Sequence, residues 1–279
     1  PADYRGKSVQ GRFVLTASAP RSVMDQARKR GAVGIITDIM PTNPAVRPTP
    51  MDLPDARVWQ VLRPTGTLPA FVLTPRQGQE LRKLIAERQG KGGVWLRAWV
   101  DARPYDGRHE MVSACIPGRD REHEVALVAH LYEPGANDNA SGAAVLLETV
   151  RVLNRLISSG RLPRPRRTIR LWFTHEFQSL MALLHERPEA MARVIACANV
   201  DQVGENQGAS GASLMYQDGP DALPSWLNHY THALMEYFDS RPYTWGNESS
   251  TETRLAIVNT RFWMNDNFIS DPSVGIPSV

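Results

Sequence analysis

The chain has 279 residues, 42% hydrophobic and 22% charged, with a net charge of +3 and two cysteines. That is ordinary for a folded protein of one large or two modest domains, and it excludes a disulfide framework. No apolar run approaches the roughly 18 residues of a membrane span, and no long basic tract suggests nucleic acid, so neither a membrane nor a nucleic-acid partner is expected.

The first stretch reads as a small α/β unit. GRFVLT (residues 11–16) is a short apolar strand, RSVMDQARKR (21–30) a helix with Val23 and Ala27 on one face, and AVGIITDI (32–39) a buried strand after Gly31. Proline dominates residues 41–54, which predicts a loop. LPAFVLT (68–74) is a further strand. RQGQELRKLIAERQG (76–90) is an amphipathic helix with Leu81, Leu84 and Ile85 on one side, and VWLRAWVDAR (94–103) alternates as a strand does.

From there the pattern is richer. HEMVSACIPG and HEVALVAHLYEPG (109–118 and 123–135) read as neighbouring strands, with Cys115 and, later, Cys197 expected free and buried. SGAAVLLETVRVLNRLI (141–157) is a long helix with Leu146, Val150, Leu153 and Ile157 on one face. TIRLWFTH (168–175) is a strand, FQSLMALLHE (177–186) a helix, and VIACANVDQVG (194–204) another strand. Alternating strands and helices predict an α/β fold, a mostly parallel sheet with helices on both faces. The domain boundary falls between residues 95 and 108, giving domains over 1–95 and 96–279. The chain starts at Pro1 rather than Met and ends on an apolar GIPSV tail, as expected of a piece of a longer protein, so the lack of a visible signal peptide says little about location; location is unknown, with cytoplasmic as the default expectation.

Three apolar strands end on residues able to bind metal: one on His130, one on His175 and Glu176, one on Asp201. In an open parallel sheet, ligands bind beyond the carboxyl ends of the strands. After His130 comes PGANDNASG (134–142), a tight turn and short polar loop before a helix. Asp138 or Asn139 in it could simply cap that helix, but capping does not explain why the loop follows a strand ending in histidine. His229 and His232, three apart on a helix, are expected to be a surface pair, and His109, His123 and His185 to be exposed.

HLYEPGANDNASGAAVLLE resembles the metal-binding segment of the zinc aminopeptidases related to aminopeptidase Y and the transferrin-receptor ectodomain, in their short bacterial form. The resemblance implies that His130 binds one zinc and that Asp138 bridges two. TIRLWFTHEFQS resembles the segment carrying the general base, Glu176 here, and NVDQVGENQ the segment whose aspartate, Asp201, is a further ligand. It implies a three-layer α/β/α zinc-exopeptidase domain of the phosphorylase/hydrolase-like type, acting on a peptide or small amide substrate. RGKSVQGRFVLT with ARKRGAVGIITD is similar to a smaller protease-associated domain.

The sequence departs from that family at three places. Phe177 follows Glu176 where many relatives carry a second acid. Glu133 stands where short-loop members carry a second histidine. NDNFISDP replaces the late S-D-H segment, so that Asp266 or Asn267 falls on the last ligand position. The expected ligand set is therefore His130, Asp138, Asp201 and Asp266, holding one or two zinc ions, with Glu176 catalytic. The alternatives are an inactive binding protein on the same fold and a one-zinc acyltransferase like the glutaminyl cyclases.

Overall fold

In the computed structural model, which describes residues 2–44, 47–63, 66–103, 105–207, 213–239, 243–245, 248–250, 255–258 and 265–279, the chain divides into two units, 1–107 and 108–279. In the first unit three short apolar runs become strands β1 (Phe13–Thr16), β2 (Gly34–Thr37) and β3 (Ala70–Val72), a parallel sheet in that order. Helix α1 (Pro20–Lys29) packs Met24 and Ala27 against Ile35. Gly31, at φ +76, then turns the chain back into β2, a conformation only glycine adopts without strain.

Helix α2 (Pro75–Glu87) starts on a capping box: the Thr74 hydroxyl accepts from the Gln77 amide at 3.2 Å, and the Gln77 side chain accepts from the Thr74 amide at 3.1 Å. Its expected apolar face is not buried, since Leu84 and Ile85 are 39% and 44% exposed. The helix approaches its unit through Gly78, where a Cβ would lie 2.1 Å from Asp38 Oδ2. Residues 94–103 form no strand; Trp95 is 91% exposed, and alternation without a pairing partner does not hold an extended segment in a sheet.

The second unit is built on a mixed sheet of β4 (Val112–Ile116), β5 (Asp120–His130), β6 (Arg167–Thr174) and β7 (Val194–Asn199), in the order β4-β6-β5-β7. β5 runs parallel to β6 and β7, and β4 antiparallel to β6. β4 and β5 are thus not neighbours, as their adjacency in sequence had suggested. Their connection crosses the start of β6. There the Gly118 amide donates to Thr168 Oγ1 at 3.1 Å, and a Cβ on Gly118 would meet the Arg167 carbonyl carbon at 2.3 Å. β4 becomes an edge strand, which leaves Cys115 exposed against expectation, whereas Cys197 is buried.

Period-two alternation in β5 and β6 divides the core between two faces. Ala126, Val128 and Trp172 pack with Leu180 of α4 (Gln178–Glu186), Met191 of α5 (Pro188–Met191) and Ile269. Ala129, Leu171 and Phe173 pack with Ala143 and Leu146 of α3 (Ala140–Ser158). The fold is therefore mixed α/β, its sheet flanked by helices. Each fully buried leucine, Leu146 and Leu180 among them, stabilises it by about 1.5–3 kcal/mol.

The final residues close the far edge of the sheet. The Cys197 amide donates to the Pro277 carbonyl and the Asn199 amide to the Val279 carbonyl, each at 2.8 Å. The apolar GIPSV tail is thus paired with β7. Beyond the sheet, β8 (Leu214–Gln217) pairs in parallel with β11 (Leu255–Val258), β9 (Tyr243–Trp245) with β10 (Glu248–Ser250), and α6 (Trp226–Asp239) lies between β8 and β9 in sequence. No helix among the described residues is long and apolar enough to cross a membrane.

Candidate metal centre

β5 and β6 run side by side, His130 in register with Thr174, so their polar ends emerge at one sheet edge. His130 is 1% exposed. Its Nε2 lies 3.4 Å from Asp138 Oδ1 and 3.3 Å from Asp201 Oδ1, while its Nδ1 has no hydrogen-bond partner. Among the described residues, two groups of side chains each bring their ligand atoms within 4.8 Å of one another: His130 with Glu133 and Asp138, and His130 with Glu176 and Asp201. Four carboxyl groups thus face one imidazole.

The electrostatics follow from that crowding. Burial, then a hydrogen bond and negative charge from Glu133, push Asp138 up to about 7. Burial raises Glu176 above the usual carboxylate range although the Tyr132 hydroxyl donates to its Oε2 at 2.9 Å. Burial works against a charged His130, yet Asp201, Glu176 and Asp138 together hold its pKa above the ordinary value. Asp201 Oδ1 and Glu133 Oε2 are sealed from solvent without a hydrogen-bond partner. Carboxylate oxygens are rarely left so. A divalent cation fits this donor set: it supplies the missing positive charge and the missing partner for both orphaned oxygens.

The loop over residues 134–142 is positioned by its own polar side chains. Asn139, 1% exposed, caps α3 by accepting from the Gly142 amide at 3.0 Å; it also accepts from the Gln202 amide at 3.2 Å and donates to the Val200 carbonyl at 2.9 Å. The Ser141 hydroxyl accepts from the Val203 amide at 3.1 Å, and Asn137 Oδ1 accepts from the Gly204 amide at 2.9 Å. Gly142 permits this approach, for a Cβ there would sit 2.1 Å from the Val200 carbonyl oxygen. The loops bearing Asp138 and Asp201 are therefore tied together.

A profile of the Peptidase family M28 matches residues 111–253, just over half of the chain. This chain belongs to peptidase family M28. No curated relative matches it. Among solved structures it is similar to a protein assigned to the peptidases from Clostridium acetobutylicum, at 16% identity and a TM-score of 0.47, covering 60% of this chain and 34% of that one. It is also similar to LapB from Legionella pneumophila, at 17% identity and a TM-score of 0.41, covering 72% and 52%. The M28 chain thus spans about a third and about half of the lengths of those two proteins.

Of the residues expected from sequence, His130, Asp138, Glu176 and Asp201 converge in the M28 chain. Asp266 does not join either group. It is 1% exposed, and its oxygens accept from the Thr174 hydroxyl at 2.9 Å and the Phe177 amide at 2.7 Å. It fastens the turn that presents Glu176. That turn needs fastening, since Phe177 has φ +32; Gln202, directly after Asp201, has φ +53. Non-glycine residues persist there only where their surroundings impose it. Asn267 is engaged by the Ser278 hydroxyl at 2.6 Å.

The sequence assigns no role to Glu133 or Tyr132, and gives Asn139 only as a possible cap. Tyr132 stacks on His175, ring centroids 4.1 Å apart, and lies 5.5 Å from His130. Two residues beyond the end of a strand, its side chain was due on the same side as His130, which was the available signal. On the helix Trp226–Asp239, His229 is exposed and His232 partly buried, with its Nε2 2.7 Å from Asp218 Oδ1.

Proposed function

We propose that the chain is a metal-dependent aminopeptidase that uses zinc and removes N-terminal residues from peptides. The observation that carries this reading is the buried imidazole of His130 facing Asp138 and Asp201 with an orphaned carboxylate oxygen beside it. Asp138, Asp201 and His130 would hold the ion. When bound, zinc lowers the pKa of a coordinated water and polarises a carbonyl. Glu176 would serve as general base: burial raises its pKa above the ordinary value, which strengthens it as an acceptor of the proton it would pass to the leaving amine. The Tyr132 hydroxyl, donating to Oε2 at 2.9 Å, orients that carboxylate. The ligand-bearing domain is read as the three-layer α/β/α exopeptidase type, and the first unit as a protease-associated-like accessory.

A second reading, a one-zinc acyltransferase like the glutaminyl cyclases, is favoured by one feature: both candidate groups share the same imidazole. The test is metal analysis of purified protein, followed by turnover of a panel of aminoacyl-anilides by wild type and Glu176→Gln. Bound zinc with Glu176-dependent release of the anilide supports the aminopeptidase. Absence of bound metal and of Glu176-dependent turnover refutes it. Cyclisation of an N-terminal glutamine peptide without hydrolysis selects the second reading.

A further inference from the structure

The late segment expected to complete the ligand set is used elsewhere, because both oxygens of Asp266 are taken by Thr174 and Phe177. Another carboxylate, that of Glu133, lies within reach of His130. Glu133 precedes the Pro134–Gly135 turn, where the loop doubles back sharply: a Cβ on Gly135 would meet the Asp138 carbonyl oxygen at 2.3 Å, and Gly135 bridges to Asn139. This fold-back sets Glu133 beside Asp138, although four residues separate them. The Oε2 of Glu133 is sealed from solvent and has no partner. The ligand atoms of His130, Glu133 and Asp138 lie within 4.8 Å of one another, and His130 itself is buried with Nδ1 unpartnered.

We propose that Glu133 is a ligand of the ion held by His130 and Asp138, filling the place in the ligand set that Asp266 leaves. This rests on the metal-dependent reading above and goes beyond it, for it makes the centre one imidazole surrounded by carboxylates. An oxygen-rich set of this kind suits zinc and also the harder divalent ions such as manganese.

The test uses the full chain stripped of metal and titrated with zinc by calorimetry, as wild type, Glu133→Gln, Glu133→His and the helix-surface control Glu148→Gln. Cobalt(II) absorption serves as a second readout of the ligand set. The expected result is a zinc Kd raised about tenfold or more in Glu133→Gln, affinity largely kept in Glu133→His and unchanged in Glu148→Gln, and a cobalt spectrum altered only by changes at residue 133. Wild-type affinity and an unchanged cobalt spectrum in Glu133→Gln overturn the assignment and leave the metal-dependent reading standing. A wild-type chain that takes up no zinc overturns both. Should the variants not fold, anomalous diffraction from zinc-soaked wild-type crystals decides: an ion at about 2.0–2.2 Å from a Glu133 oxygen supports the assignment, and an ion bound at His130 with Glu133 outside its shell overturns it.

Discussion

Asn139→Ala tests whether the two ligand loops are one unit. Asn139 is 1% exposed and makes three hydrogen bonds: from the Gly142 amide at 3.0 Å, from the Gln202 amide at 3.2 Å and to the Val200 carbonyl at 2.9 Å. Loss of an N-cap costs about 1 kcal/mol. Loss of the other two bonds costs roughly 1–3 kcal/mol each when the partner is left buried and unpaired. The sum is about 3–7 kcal/mol, or a fall in Tm on the order of 10–20 °C for a unit of this size. Asn139→Asp keeps the acceptor oxygen and loses the donor to Val200, so it should fall between wild type and alanine. Thermal unfolding by circular dichroism gives the Tm, and zinc calorimetry gives the effect on the site, which should weaken because Asp138 and Asp201 lose their common anchor. An alanine variant within 1 °C of wild type, with unchanged zinc affinity, would show that the strut is not what sets the loops.

His130→Ala should abolish stoichiometric zinc binding, read by metal analysis after gel filtration; a variant that keeps one zinc per chain contradicts the ligand set. Asp266→Asn should lower stability by about 2 kcal/mol through the loosened Phe177 turn and leave zinc stoichiometry intact, so a folded variant without zinc would return Asp266 to the ligands. Tyr132→Phe should lower kcat several-fold with KM and metal content unchanged, because the base loses the donor on Oε2, and equal kcat would remove Tyr132 from the mechanism. Glu124, 4% exposed, accepts from Arg170 at 2.7 and 3.0 Å and from Arg193 at 3.3 Å. The Arg170 hydrogen bonds hold its pKa below the ordinary 4.5, against burial. Its stabilisation is therefore complete above about pH 4.5 and fades as pH falls through the lower folded value. Glu124→Gln should cost roughly 3 kcal/mol at pH 7, and the gap to wild type should close in acid; a constant gap from pH 7 to pH 3 rules out the linkage.

Strand-end chemistry was readable because it is local. An apolar run that stops on His130, Glu176 or Asp201 announces both the strand and the edge where its last side chain emerges. The polar loop could be read as a cap, and Asn139 does cap α3, but its bonds to Val200 and Gln202 depend on where β7 lies. Glu133 was visible as a departure, not as a ligand, because its position beside Asp138 comes from the fold-back at Gly135. The order of the sheet was not readable either. β4 and β5 are adjacent in sequence and similar in pattern, and nothing local specifies that β6 enters between them. Residues 94–103 show the reverse error, alternation without a neighbour to pair with, and Leu84 and Ile85 of α2 show amphipathicity on a face the unit leaves exposed.

The ties between the two ligand loops also have a consequence for the order in which the protein is made. Their hydrogen bonds span 61 to 68 residues of chain. Contacts of that separation form only after a large loop has closed, so they belong to the late steps of folding. A nascent chain that has emerged as far as α3 already contains His130, Glu133 and Asp138 but lacks the segment that orients them. Metal capture should therefore follow, not guide, assembly of the sheet. Pulse-labelled hydrogen exchange would read this in the amides of Gln202, Val203 and Gly204, which should become protected together and after those of β5 and β6.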